Sequence, residues 1–289
     1  MRRFELVEPK SLAEACAILG NDKDAKAIAG GTALLTIIKQ GLLLPKTLVN
    51  LKKISDGSVI SFNPLQGLRI GVLTTIDEVE MSAIVRRHFP VLAEACHVVA
   101  NIRIRNMATL GGNLAHGDYQ SDPPTVLAAL DAQVELTSGT KIRRLAISDF
   151  QLGSYETALQ PGEVLSAVLI PPLPQGINGL YVKFTTGSSA ERPCAGVAAF
   201  ARLDNGGCRE LRLAVGAVSP KALRIGAASL ADGKTLTPDL IAKIANEASR
   251  AIDPIDDVRG PADYKRHLVG VLTRRALQTL ANGKTENKS

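Results

Sequence analysis

Residues 102–124 read IRIRNMATLGGNLAHGDYQSDPP and hold the densest grouping of ligand-type residues in the chain. Gly111 and Gly112 stand between Thr109 and Asn113, a short polar run follows, and Asp122-Pro123-Pro124 opens an apolar stretch. Glycine lets a backbone turn sharply and lets a ligand approach its N–H groups with no Cβ in the way. Successive free N–H groups form a concavity for anionic oxygens, and hydroxyl and amide side chains at its rim add hydrogen bonds. The segment reads as a loop lying against a ligand, with an ordinary pair of surface turns as the plain alternative.

A second stretch carries the same chemistry. Residues 26–41 read KAIAGGTALLTIIKQG. The spacing predicts a short buried strand over 26–29, a turn at Gly30-Gly31-Thr32 and a helix carrying Leu34, Leu35, Ile37 and Ile38, stopped at Gly41. A strand, a glycine turn and a helix N-terminus together favour phosphate, because orphan N–H groups and the helix dipole point the same way. Neither the G-x-G-x-x-G fingerprint nor a P-loop is present. The plain alternative is a tight turn with Thr32 as helix cap. Two glycine cradles suit a ligand with two phosphates better than one with a single phosphate.

The elements that must position these motifs follow from periodicity. Ser11 to Glu14 and Thr75 to Glu78 are capping boxes, predicting helices over 12–19 and 76–87. Strands are expected at 47–51, 67–74 and 163–170, a helix at 90–99, and a hairpin of 133–136 and 141–145 around Ser138-Gly139. Asp122 before two prolines reads as a helix N-cap for the apolar run through Leu130. Residues 171–179, PPLPQGING, read as a linker. Beyond it, strands at 180–185, 195–203 and 210–218 precede helices at 222–230, 238–251 and 261–280, an α+β order. A polar tail runs from 283 to 289.

AGGTALL at 29–35, followed by IRNMATLGGNLAHGDYQSD at 104–122, resembles the FAD-binding medium subunit of the molybdenum hydroxylases, the family of aerobic carbon monoxide dehydrogenase and xanthine dehydrogenase flavoprotein subunits. FELVEPKSLAEACAIL, IGVLTTIDEVE, GEVLSAVLIP, YVKFTT and DDVRGPADYKRHLVGVLTRRAL extend the resemblance over nearly the whole chain. It implies an α+β chain with a vanillyl-alcohol-oxidase-type (PCMH-type) FAD-binding domain of two αβ lobes and a C-terminal α+β domain. The expected units are 1–58, 59–175 and 176–289.

The resemblance assigns Ala29, Gly30, Gly31, Thr32, Ala33, Leu34, Leu35 and Thr36 to a first FAD cradle, with Gly30, Gly31 and Thr32 on the pyrophosphate. Thr109, Gly111, Gly112 and Asn113 would form the second, and Asp122 would bind the ribose–adenine end. Leu165 would pack near the ring system and Lys183 near the flavin; read alone, these are a strand core residue and a solvated strand lysine. The family often has an arginine soon after this lysine, where this chain has Gly187; Arg192 follows in SSAERPC. His116 and His97 carry no assigned role, and no residue is expected to act as a catalytic acid, base or metal ligand.

The implied activity is oxidoreduction. An organic substrate would be hydroxylated at a molybdenum cofactor on a large partner subunit. Electrons would pass through two [2Fe–2S] clusters on a small subunit to noncovalently bound FAD, and on to an external acceptor such as NAD, a quinone or oxygen. The expected assembly is a dimer of heterotrimers. A binding or assembly module of the same fold that lacks FAD is the alternative, and a self-contained flavin oxidase is a third reading.

Composition narrows the field. The 289 residues are 45% hydrophobic, enough for a sizeable core. No apolar run reaches the ~18–20 residues of a membrane span. MRRFELVEPK has charge without an apolar core behind it, so no signal peptide and a cytoplasmic location are expected. Cys16, Cys96, Cys194 and Cys208 are scattered, so any iron–sulfur cluster is expected on another chain, and within the family that the chain resembles the missing cysteine insert argues against the variants with an added [4Fe–4S] cluster. The charge of +6 is dispersed and aromatic content is 3%, which argues against a nucleic-acid platform.

Overall fold

The computed structural model describes residues 3–204 and 207–283. Three sheets organise them. The first is a parallel sheet of β1 (Glu5–Val7), β2 (Ala25–Ile28) and β3 (Thr47–Asn50), in the order β1-β3-β2, with α1 (Leu12–Asn21) and α2 (Leu34–Lys39) as its helices. Ser11 caps α1 by accepting from Glu14 N. The return half of the expected box is shifted, because the Glu14 carboxylate accepts from Lys10 N. The apolar face of α1 buries Ala15 and Cys16 with Val49, Leu51 and Val164, so this lobe closes against the second sheet. β2, expected to be buried, leaves Lys26 and Ala27 exposed.

The second lobe is built on β4 (Ile60–Asn63), β5 (Gly67–Gly71), β6 (Gln133–Ser138), β7 (Lys141–Ala146) and β10 (Val164–Ile170), in the order β4-β5-β10-β6-β7 and antiparallel throughout. The 133–146 hairpin forms as its Ser-Gly turn implied. Between β5 and β6 run α3 (Ile76–Met81), α4 (Ala83–His88), α5 (Pro90–His97), α6 (Ile102–Arg105), α7 (Leu110–His116) and α8 (Asp122–Ala129). Thr75 and Glu78 form the complete capping box at α3. The short α9 (Ile147–Phe150) and the ribbon of β8 (Gln151–Gly153) and β9 (Glu156–Thr157) lead into β10.

The C-terminal sheet has the order β11-β12-β13-β14, from β11 (Ile177–Phe184), β12 (Ala195–Asp204), β13 (Gly207–Gly216) and β14 (Leu223–Arg224). The helix expected at 222–230 is not there. Leu223 and Arg224 pair with Val215 and Ala214, and a 3-10 turn over Gly226–Ala231 follows. Pairing with a waiting strand edge outweighs the local helix pattern. Helices α10 (Pro238–Arg250) and α11 (Ala262–Ala281) cover one face. β12 shows the two-sided burial directly: Val197, Ala199 and Ala201 join those helices, while Ala198 and Phe200 join the core around α5 and α8. Every residue of α8 is buried, and the helix packs against β12, β13 and α5. The expected polar tail from 284 onward lies outside the described residues.

Candidate cofactor site

Between the first lobe, the second lobe and the start of the C-terminal sheet lies a cavity of about 770 Å³, within the ~300–1,000 Å³ of small-molecule sites. Ala29, Gly30, Gly31, Thr32, Ala33 and Leu34 line one side, and Thr109, Gly111, Gly112, Asn113, Asp122 and Leu165 line the others. Leu35 and Thr36 stand behind the turn: Leu35 N donates to the Gly31 carbonyl, and Thr36 Oγ1 donates to the Thr32 carbonyl. Lys183 lies outside the wall as well.

The first glycine turn is an open cradle. Among the described residues, no protein acceptor takes the backbone N–H of Gly30, Gly31, Thr32, Ala33 or Leu34. Gly31 has φ of +73°, a left-handed conformation that keeps the turn tight. Thr32 is not the helix cap; Ala33 holds that position with no side-chain bond, so the Thr32 hydroxyl stays available. Five consecutive free donors beside a cavity are the backbone arrangement that suits an anion, without any charged side chain.

The second motif corrects the expectation of a free loop. Residues 110–116 are helical, and their first N–H groups are already used. Leu110 N donates to the Thr74 carbonyl, Gly111 N to Val72, and Gly112 N to Thr109 Oγ1, the N-cap. A Cβ on Gly111 would overlap Val72, so that glycine serves the close approach of α7 to the end of β5. Asn113 Oδ1 accepts from Ser121 Oγ, which ties α7 to the start of α8. The motif thus builds a wall, and only the first motif is a nest of open donors.

Gly30 joins the two. A Cβ there would overlap the carbonyl oxygen of Met107, just ahead of the second motif. Sequence spacing gives no sign of this contact, because it depends on how the lobes dock.

Asp122 is not a helix cap. Ser121 holds the N-cap position, and the Asp122 carboxylate accepts from Tyr181 OH at 2.9 Å and meets Lys183 Nζ at 3.1 Å. Burial pushes its pKa up to about 6, against the pull of the Lys183 ammonium and the Tyr181 hydrogen bond. Lys183 is not a solvated strand lysine: its side chain is 8% exposed, and it also donates to the Val98 carbonyl at 2.7 Å.

Several contacts at and behind the wall have no counterpart in the sequence pattern. Asp118 pairs with Arg192 at 2.7 Å, which brings the segment after Gly187 against the cavity rim. Gly187 itself faces the Glu191 carboxylate. His116 tilts against Tyr155, ring centroids 5.2 Å apart, and burial lowers its pKa, favouring the neutral imidazole. Gln120 accepts from Arg259 and donates to Asp257, whose carboxylate also holds Lys265 at 2.7 Å and accepts from Tyr119. Two residues outside glycine adopt left-handed backbone on the cavity wall, Ala100 (φ 45°) and Tyr155 (φ 60°). Such strain gathers at ligand sites. His97, without an assigned partner in the sequence, meets Glu80 at 2.7 Å.

A family profile described as the FAD binding domain in molybdopterin dehydrogenase matches residues 2–173, and one described as the CO dehydrogenase flavoprotein C-terminal domain matches 188–280. The chain belongs to the FAD-binding medium subunits of the molybdenum hydroxylases. As a member of that family it carries an FAD-binding domain and belongs to an oxidoreductase. It is 34% identical over 284 residues to the carbon monoxide dehydrogenase medium chain of Hydrogenophaga pseudoflava, covering 95% of this chain and 96% of that one. It is 32% identical over 274 residues to the nicotine 6-hydroxylase medium subunit of Paenarthrobacter nicotinovorans, covering 93% and 94%. Among solved structures, carbon monoxide dehydrogenase from H. pseudoflava superposes with a TM-score of 0.92 at 33% identity, covering 96% of each chain. Quinoline 2-oxidoreductase from Pseudomonas putida 86 gives 0.92 at 30% identity, covering 98% of each. The expected two-part α+β architecture agrees with these superpositions. Among the described residues, no helix is long and apolar enough to cross a membrane.

Proposed function

We propose that this medium subunit holds FAD noncovalently in the cavity and relays electrons from [2Fe–2S] clusters of a small partner subunit to an external acceptor. A large subunit would carry the molybdenum cofactor, and the assembly would be a cytoplasmic dimer of heterotrimers. The observation that carries this reading is the run of five open N–H donors at Gly30–Leu34 on the cavity wall. They fit the pyrophosphate, the one part of FAD that needs several donors at a single place.

The remaining residues divide the work. Thr32 adds a hydroxyl to the cradle, while Leu35 and Thr36 keep its turn closed. Thr109, Gly111 and Gly112 set α7 against β5, and Asn113 keeps its amide NH₂ for the cavity. Asp122, a residue of the cavity wall, is assigned to the ribose–adenine end, and Leu165 supplies apolar packing for the ring. Lys183 works from behind the wall through Asp122 and Val98. Bound FAD supplies the redox chemistry, exchanging electrons singly or in pairs. The chain binds, orients and shields it, and no protein acid or base is required. The three sheets support units at 1–58, 59–175 and 176–289.

The test is the absorbance spectrum of the purified chain before and after denaturation, with the released cofactor identified. A flavin spectrum and released FAD are expected. Colourless protein that also takes up no added FAD overturns the reading and leaves an assembly module.

A further inference from the structure

One stretch of the cavity wall is gripped from behind by two buried ion pairs. On one side Lys183, paired with Asp122, donates to the Val98 carbonyl at 2.7 Å. On the other, Arg105 pairs with Glu80 through Nε at 2.9 Å and donates to the Val99 carbonyl through Nη1 at 3.3 Å. All four side chains are 10% exposed or less. The two cations come from distant parts of the chain, α6 and β11, yet they take successive carbonyls of one turn. That turn closes α5, and its next residue is Ala100, held at φ 45°. Val99 and Ala100 both line the cavity, as does Ile104.

Carbonyls at a helix C-terminus lack intrahelical partners and attract cations. One cation would be enough to cap α5. Two buried pairs on adjacent carbonyls do more, because they fix both peptide planes that precede Ala100. A non-glycine residue leaves the left-handed region unless its surroundings over-determine it. Neither cation has a ligand of its own, since each is spent on a carboxylate and a carbonyl.

We propose that Lys183 and Arg105 are paired positioning residues, which clamp the Val98 and Val99 carbonyls so that the Val99–Ala100 wall meets the bound flavin cofactor in one fixed shape. This rests on the FAD reading above. Lys183 acts on the cofactor through Val98 as well as through Asp122, and the Glu80–Arg105 pair, which does not line the cavity, is part of the site's machinery.

The experiment is a thermodynamic cycle on the full chain, with FAD affinity and the visible circular dichroism of bound flavin as readouts. The variants are K183M, the volume-conserving pair removal E80Q/R105M, and their combination. Removing both members of the second pair leaves no unpaired buried charge at that site. Thermal unfolding confirms that each variant is folded. The two changes act on one turn, so each should weaken FAD binding roughly tenfold, and the combination should fall well short of the roughly hundredfold loss of independent sites. The visible dichroism should change in the same way for both. Multiplicative losses, or unchanged affinity and dichroism in folded variants, overturn the clamp. Wild-type chain that binds no FAD would overturn the underlying reading instead, so the two failures are distinguishable.

Discussion

Gly30 and Met107 are 77 positions apart in sequence, yet no side chain fits between them: a Cβ on Gly30 would overlap the Met107 carbonyl oxygen. This contact seats the open donor turn of the first lobe against the start of the second motif. The obstacle to a larger residue is backbone, which cannot rotate away. Gly30→Ala should therefore push the turn off the wall, weaken FAD binding at least tenfold and cost about 1–3 kcal/mol of stability. Gly41→Ala is the control. Its φ is +75° with open space around it, so it should cost roughly 1 kcal/mol of backbone strain and leave FAD affinity unchanged. Fluorescence titration and thermal melts of the two variants check both statements.

Asp122 gives the chain a pH dependence of definite sign. Burial raises its carboxyl from 3.8 to about 6 in the folded state. The folded protein then holds this proton more tightly than the unfolded chain. Its contribution to stability is complete below pH 3.8 and is lost as pH rises through 6, by about 3 kcal/mol in all. Asp122→Asn removes that proton but keeps the shape. The stability difference between wild type and variant, followed by denaturant melts from pH 4 to 7, should shift against wild type across this window. A difference that stays flat with pH would refute the assignment.

Arg192 holds the rim segment to the cavity through Asp118. The arginine side chain is 51% exposed and the aspartate 8%. A pair with one half-exposed partner contributes little to global stability. Arg192→Ala should move the melting temperature only slightly, yet release FAD roughly two- to fivefold faster, because the rim loses its tether. Stopped-flow dissociation at low and high salt is the check, and the salt sensitivity of release should shrink in the variant.

Lys265 is the structural counterpart. It is 1% exposed, bonded to Asp257 at 2.7 Å and to the Ile255 carbonyl at 2.7 Å. Asp257 in turn holds Tyr119 and Gln120 of the loop between α7 and α8. Lys265→Met leaves that carboxylate without its cation and should cost about 3 kcal/mol. Adding Asp257→Asn should recover part of the loss, since the uncompensated charge goes with it. Urea unfolding of the single and double variants measures both.

Much of the local order is legible in the sequence. The Thr75–Glu78 box caps α3 because both partners lie within one turn of backbone, and the 133–146 hairpin forms because its turn and alternation agree. The strand–glycine–helix order of 26–41 forms for the same reason, since its information is contained in sixteen consecutive residues, although β2 is only partly buried and Thr32 is not the cap. The two glycine motifs in order also pointed to the family.

What the sequence could not determine is which donors remain open. Both motifs offer glycine N–H groups, and they differ only in their neighbours. The Thr74 and Val72 carbonyls take those of Leu110 and Gly111, whereas among the described residues no protein acceptor takes the N–H groups of Gly30–Leu34. The local context of Asp122 favours a helix cap, yet Ser121 takes that position. The actual partners of Asp122, Tyr181 and Lys183, arrive from a strand that only the folded chain brings near. Residue type and spacing determined that this protein could cradle an anionic cofactor. Tertiary packing decided which cradle is free, because a hydrogen bond to a distant carbonyl depends on angstrom-scale placement that no local pattern encodes.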